Sequence, residues 1–235
     1  MKLQPETKQK QMKIFKKIMA GLFALFLIAV AWIGYHMLFS SKSHVGIDVS
    51  HHNKLSARNW NKLEGQGISF VYIKVSEGDN YRDPKAKSNS IAASDHKMLI
   101  GTYHFFRDNV NSEKQYRNYL SARARCSWSL LPVIDYERDG FHTNVSERSR
   151  QETLKNLYLK LEKHDGQAPI IYCSIIEYFK LLRILPKAKF WLGDPNFGFG
   201  TIQQKKKNLG MAELDFDYAN LADIMFASSN ENQGR

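Results

Sequence analysis

Leu130-Leu131-Pro132-Val133-Ile134-Asp135-Tyr136-Glu137 is an apolar, β-branched run of strand length that ends in two carboxylates. Working outward from it, similar runs recur on both sides. Val45–Val49, Phe70–Val75 and Leu99–Phe106 precede it, and Ile170–Cys173 and Phe190–Leu192 follow. Two weaker signals, Thr201–Gln204 and Leu214–Tyr218, end the series. Helical segments fall between the stronger runs. Asn144-Val145-Ser146-Glu147 opens one, with Leu154, Leu157, Tyr158 and Leu161 at three- to four-residue steps until Gly166 stops it. Asp83–His96 and Asn111–Ala124 read as two more. Strands alternating with helices indicate an α/β protein with a parallel sheet, here closing towards a (β/α)8 barrel. Residues 45–235 are few for eight complete βα units, so an irregular or incomplete barrel is expected.

Of the 235 residues, 43% are hydrophobic, which excludes a wholly disordered chain. Two cysteines, Cys126 and Cys173, exclude a disulfide scaffold and a cysteine-rich zinc module, and their pairing stays open. The net charge is +11, but much of it is local: residues 1–17 hold six lysines against one glutamate. From Ile18 to Phe39 no Asp, Glu, Lys or Arg occurs. As a helix rising ~1.5 Å per residue, that run would reach ~33 Å, enough for a hydrocarbon core of roughly 30 Å. The expected organisation is a basic cytoplasmic tail at 1–17, one N-terminal transmembrane helix at 18–39, a linker at 40–44 and a domain at 45–235. That makes a single-pass membrane protein with its domain on the outer, periplasmic or extracellular, side. A cleaved signal peptide is the competing reading. Its apolar core usually spans about 7–15 residues, and no small-x-small site follows this longer run at Tyr35–Ser41. Lys205-Lys206-Lys207 has no nucleic-acid motif around it, so a polyanionic wall polymer suits the remaining charge better than nucleic acid. Nothing in the sequence fixes an oligomeric state.

Functional side chains of parallel barrels sit where strands end. Asp48 closes the first run, Glu77 follows the second, Asp194 follows the sixth and Asp215 lies in the last. Asp135 and Glu137 are spaced i, i+2, so both project from one face of a strand. Mutual repulsion raises one carboxyl pKa and lowers the other, giving an acid beside an anion, as glycosidic hydrolysis requires. An Asp-x-Glu alone is common; its weight comes from acids recurring at other strand ends.

With these motifs the chain resembles the family 25 glycoside hydrolases, the Chalaropsis-type muramidases, from about Val45 to Asn220. Gly46-Ile47-Asp48-Val49-Ser50 is similar to the family's opening strand. Lys74-Val75-Ser76-Glu77-Gly78-Asp79-Asn80-Tyr81-Arg82-Asp83 matches its Lys-x-Ser/Thr-Glu-Gly-x-x-aromatic-x-Asp signature. Gly101–Phe106, Leu131–Glu137, Ile170–Cys173, Phe190–Asp194 and Leu214–Asp217 resemble later strands. The chain departs from the family at Lys54, at Ile202-Gln203-Gln204 and at Asp217. The resemblance implies a membrane-anchored lysozyme that cleaves peptidoglycan glycan strands between N-acetylmuramic acid and N-acetylglucosamine, without cofactor or metal. It implies Glu137 as general acid, Asp135 as the ionised partner that stabilises positive charge, and Asp48 and Asp215 lining the cleft. Glu77, Tyr103, Phe105, Tyr172, Trp191 and Asp194 are the expected substrate contacts, the aromatic rings covering apolar sugar faces.

Other readings fit less well. His51, His52, Asp48 and His104 lack a metal-ligand spacing, and His104 is expected to support the cleft by hydrogen bonding. Family 18 chitinases also end a strand with Asp-x-Glu but expect further Asp where this chain has Leu130 and Val133. Asn144-Val145-Ser146 fits a glycosylation acceptor and is read as a helix cap. A tethered glycan-binding domain without turnover would be expected to lose an acid, and none is missing.

Overall fold

Phe70 and Tyr72 are large rings on alternate positions of one strand, and each is paired across the sheet with a glycine. Phe70 lies opposite Gly46 and Tyr72 opposite Gly101. A Cβ on either glycine would overlap the facing ring, so the pairing lets two aromatics fill the middle of a narrow barrel. The computed structural model describes residues 14–30, 44–193, 202–206 and 215–225.

The chain divides into two compact units, Met1–Lys42 and Ser43–Arg235. In the second, the strands are β1 (His44–Val49), β2 (Ile68–Glu77), β3 (Tyr81–Arg82), β4 (Leu99–Phe105) and β5 (Val133–Asp135), then β6 (Ile170–Cys173), β7 (Lys189–Leu192), β8 (Ile202–Lys206) and β9 (Asp215–Ala219). The sheet runs β1-β9-β8-β7-β6-β5-β4-β2-β3, and β1 also pairs with β2, so the sheet curls round on itself. β1 and β2, β2 and β4, and the successive neighbours from β4 to β8 are parallel, whereas β3 is antiparallel to β2 and β9 is antiparallel to both β8 and β1. The shortage of residues for eight βα units pointed to missing late helices; the reversed strand β9 is a further irregularity, not expected from the sequence. Because β9 runs backwards, its first residue, Asp215, pairs with Lys206 at the rim where the parallel strands end.

Helices α2 (Ala57–Gly65), α3 (Ala86–Asp95), α4 (Ser112–Arg123), α5 (Glu147–Asp165) and α6 (Ile175–Leu181) follow the strands, and α7 (Leu221–Ile224) comes after β9. Three of them, α2, α6 and α7, were not expected, although the starts of α2 and α6 are written locally. Ser56 and Asn59 form a capping box at α2, and Ser174 accepts from the Glu177 N–H at α6. Strand alternation builds two shells. Phe70, Tyr72, Val133, Ile170, Trp191 and Ile202 point into the barrel, while Val71, Ile73, Ile134, Ile171 and Leu192 pack outward with Tyr119, Leu154, Leu157 and Leu161 of the helices. Both cysteines are free thiols.

In the first unit, residues 14–30 form a helix, α1. Phe15, Phe23, Leu25, Phe26 and Ile28 are exposed on it. Among the described residues no helix is long and apolar enough to cross a membrane. The described helix spans only about 26 Å at the usual rise, and it begins with two charged lysines, Lys16 and Lys17. Residues 31–39 of the expected span lie outside the described residues.

Candidate active site

At the rim where the parallel strands end, a cavity of about 440 Å³ opens into the barrel. Asp48, Glu77, Tyr103, Phe105, Asp135, Glu137, Tyr172 and Trp191 all line it. Asp194 lies outside the described residues, and Asp215 is placed only by its backbone at the start of β9. His104 belongs elsewhere. It faces outward from β4, where its Nδ1 accepts from Ser76 (2.8 Å) and its Nε2 donates to Gln115 (3.1 Å). Full burial lowers its pKa to about 4, so it is a neutral strut between β2, β4 and α4.

Val133, Asp135 and Glu137 share the inner face because the backbone stays extended through Glu137 (φ −135°, ψ 167°). Asp135 lies deeper in the wall, with Oδ1 buried and lacking a hydrogen-bond partner. Burial pushes its pKa well above the usual carboxylate range, and the charge of Glu137 pushes it further. The resemblance implies Asp135 as the ionised member and Glu137 as the acid; burial and the Glu137 charge act against ionisation of Asp135, and the proton belongs to the coupled pair. Sequence spacing shows that two carboxyls adjoin, but only depth in the barrel decides which of them is desolvated. Tyr103 is partly buried, and its phenol is raised by desolvation and then by the charges of Asp48 and Asp135.

Glu77 reaches the cavity through an irregularity in β2. The pairing with β4 shifts register between Lys74 and Ser76, so residues 74 and 77 meet on one face instead of 74 and 76. Lys74 Nζ then donates to Glu77 Oε2 at 2.8 Å and stands over the Phe105 ring at 4.5 Å. Arg107 grips Glu77 Oε1 through Nε (2.8 Å) and Nη2 (2.5 Å) and donates through Nη1 to the Asp139 carbonyl (2.5 Å). Burial alone would raise the Glu77 pKa, but the hydrogen bonds from Lys74 and Arg107 outweigh it and hold the group low. Glu77 is therefore a fixed anion bound to two cations, and Arg107 ties the end of β4 to the loop that carries Glu137. Neither Lys74 nor Arg107 was singled out from the sequence. Lys74 stands in the quoted signature, and Arg107 directly follows the third strand run.

Trp191 is only 2% exposed, which does not suit a platform for a sugar ring. It packs against Tyr72 (5.1 Å) and edge-on against Tyr172 (5.3 Å), and its indole Nε1–H is buried without a hydrogen-bond partner. Among the described residues, the inner wall thus offers a buried donor at Trp191 and a buried carboxyl oxygen at Asp135 without protein partners. His52, on the short turn after β1, also lines the cavity, with its ring 3.8 Å from that of His51. His51 is anchored by the buried carboxylate of Asp83 at 2.8 Å.

The family model for glycosyl hydrolases family 25 matches residues 47–194. Lysozyme M1 of Streptomyces globisporus is 35% identical over 98 residues, covering 40% of this chain and 33% of the relative. The chain spans about a third to a half of the length of the curated relatives it matches. Among solved structures, a family 25 glycosyl hydrolase from Bacillus anthracis superposes with a TM-score of 0.64 at 22% identity, covering 80% of this chain and 91% of that one. A family 25 lysozyme from Aspergillus fumigatus gives 0.64 at 21% identity, covering 76% and 94%. At these identities the two structures speak for the fold alone.

Proposed function

The chain belongs to glycosyl hydrolases family 25, and from that premise we propose that it is a muramidase acting on peptidoglycan at the β-1,4 bond between N-acetylmuramic acid and N-acetylglucosamine. The observation that carries this reading is the Asp135–Glu137 pair, two inward-facing carboxyls of which the deeper one is pushed towards its protonated form. In such a pair the charge of one carboxyl favours the proton on the other. The proton shared by the pair reaches the bridging oxygen through Glu137 as the C1–O bond breaks. Asp48 and the charge left on the pair face the positive charge that develops at C1. Water adds to C1 and returns its proton to the pair. An acetamido group has one N–H and one C=O, which complement the unpaired Asp135 oxygen and Trp191 N–H and favour an N-acetylated sugar.

Purified wall glycan should yield reducing-end muramic acid; reducing-end glucosamine would assign the chain to a different glycosidase. Glu137→Gln should lower turnover by roughly 10²-fold or more with unchanged thermal unfolding. Binding of glycan with no turnover by the native protein would support a binding domain instead.

The anchoring of the domain outside a membrane is part of the same proposal, supported by the uncharged run Ile18–Phe39 behind a lysine-rich tail. The native protein should sediment with membranes and retain Met1 by mass. A soluble form beginning near Ser41 would overturn it.

A further inference from the structure

On the outer side of β2 lies a second cavity of about 440 Å³, bounded by Val75 and by Ala122 of α4. Three cations line it: Arg82 of β3, Lys87 of α3 and Arg125 just beyond α4. The neighbouring charges are committed elsewhere. Arg123 forms a bidentate pair with Asp165, and Lys114 reaches Asp79. The one acid in the lining, Asp83, is fully buried and its oxygens are occupied. Oδ2 accepts from the His51 backbone N–H (2.9 Å) and meets its ring, and Oδ1 accepts from the Lys85 N–H (2.8 Å). Among the described residues none of the three cations joins an ion pair. Arg82 is held in place by a 2.9 Å bond from Nη2 to Ser121 Oγ. The first turn of α3 opens beside them, and its N-cap residue, Lys85, supplies no side-chain cap, which adds positive potential.

We propose that this cavity is a docking site for the phosphate groups of an anionic wall polymer, engaged while a glycan strand occupies the catalytic cleft; the proposal rests on the muramidase reading. Two guanidinium forks and an ammonium group around one open cavity suit a multiply charged, compact oxyanion better than a lone carboxylate. The two sites are linked through side chains: Asp83 of the outer lining holds His51, whose ring lies 3.8 Å from that of His52 in the cleft lining. Successive residues of a strand face opposite ways, so Tyr81 turns its hydroxyl to His51 at 3.1 Å on the cleft side while Arg82 lines the outer cavity.

The test uses the full chain and the double variant Lys87→Ala/Arg125→Ala, both positions being exposed and outside the cleft. Inorganic pyrophosphate, titrated calorimetrically, should bind the native chain, weaken with added salt, and bind the variant at least tenfold more weakly. On walls that carry phosphate polymers the variant should show a KM raised about tenfold with kcat unchanged. On walls stripped of phosphate the two proteins should be indistinguishable. Failure of pyrophosphate to bind would overturn the proposal, as would an equal loss on both kinds of wall. Binding to anionic phospholipid vesicles but not to the phosphate polymer would also overturn it, in favour of a membrane contact. If neither protein cleaves any wall, the muramidase reading fails by itself, and the pyrophosphate titration still decides whether the anion site exists.

Discussion

Asp135 shows how one side chain can be placed for chemistry at the expense of stability. Its unfolded-state pKa is near 3.9, and burial raises the folded value well above that. Below about pH 4 both states carry the proton, and the contribution to stability is fully present. As pH rises through the folded pKa, the native state must either keep a proton that the unfolded chain has released or bury a charge, and stability falls. Asp135→Asn cannot ionise. The variant should melt at a higher temperature than the native protein at pH 7, with the gain vanishing near pH 3–4. Melting curves at both pH values check this, and a gain independent of pH would contradict it. The same variant removes the charge that opposes the pair's second ionisation, so the alkaline limb of activity should move to lower pH while maximal turnover drops. A limb that stays in place would mean that the two carboxyls are not electrostatically coupled.

At the scale of the element, small backbone irregularities decide what reaches the cleft. The register shift in β2 brings Glu77 beside Lys74, and Arg107 then joins three strand ends into one rim. Two other irregularities fall on lysines. Lys54 ends the turn after β1 with φ 42°, and Lys97 follows α3 with φ 55°, a region that favours glycine. Lys54→Gly and Lys97→Gly should each stabilise the fold by about 0.5–1 kcal/mol, read as a shift in the denaturation midpoint at constant slope. Unchanged or lower midpoints in both variants would mean that these lysines make compensating contacts. Lys54 is also one of the positions where the chain departs from the family pattern, and the backbone there gives that departure a physical meaning.

For the whole molecule, the outer shell that joins barrel to helices contains a histidine that must stay neutral. Its folded pKa of about 4 lies below the ordinary 6.5, so its contribution is present above about pH 6.5 and is lost as pH falls towards 4. Protonation would cost about 3 kcal/mol over that interval. Native protein should lose stability steeply between pH 6.5 and 4, and His104→Gln should be less stable at pH 7 but flatter across this range. Urea unfolding at closely spaced pH values tests it; parallel slopes in the two proteins would place the acid sensitivity elsewhere.

Sequence by itself determined most of the strands along the chain and the type of residue at their ends, because period-two runs, capping residues and glycines act locally, but it showed neither β3 nor the reversal of β9. Asp48, Glu77, Asp135 and Glu137 could be read as a set because a parallel barrel brings all its strand ends to one rim. The tertiary structure alone decided three other things: which carboxyl of the pair is desolvated, that Trp191 is a buried donor and not an exposed platform, and that Arg107 clamps Glu77. Each of these depends on depth and on neighbours from distant parts of the chain. Desolvation and pairing are set by what surrounds a side chain in space, and no local pattern encodes that.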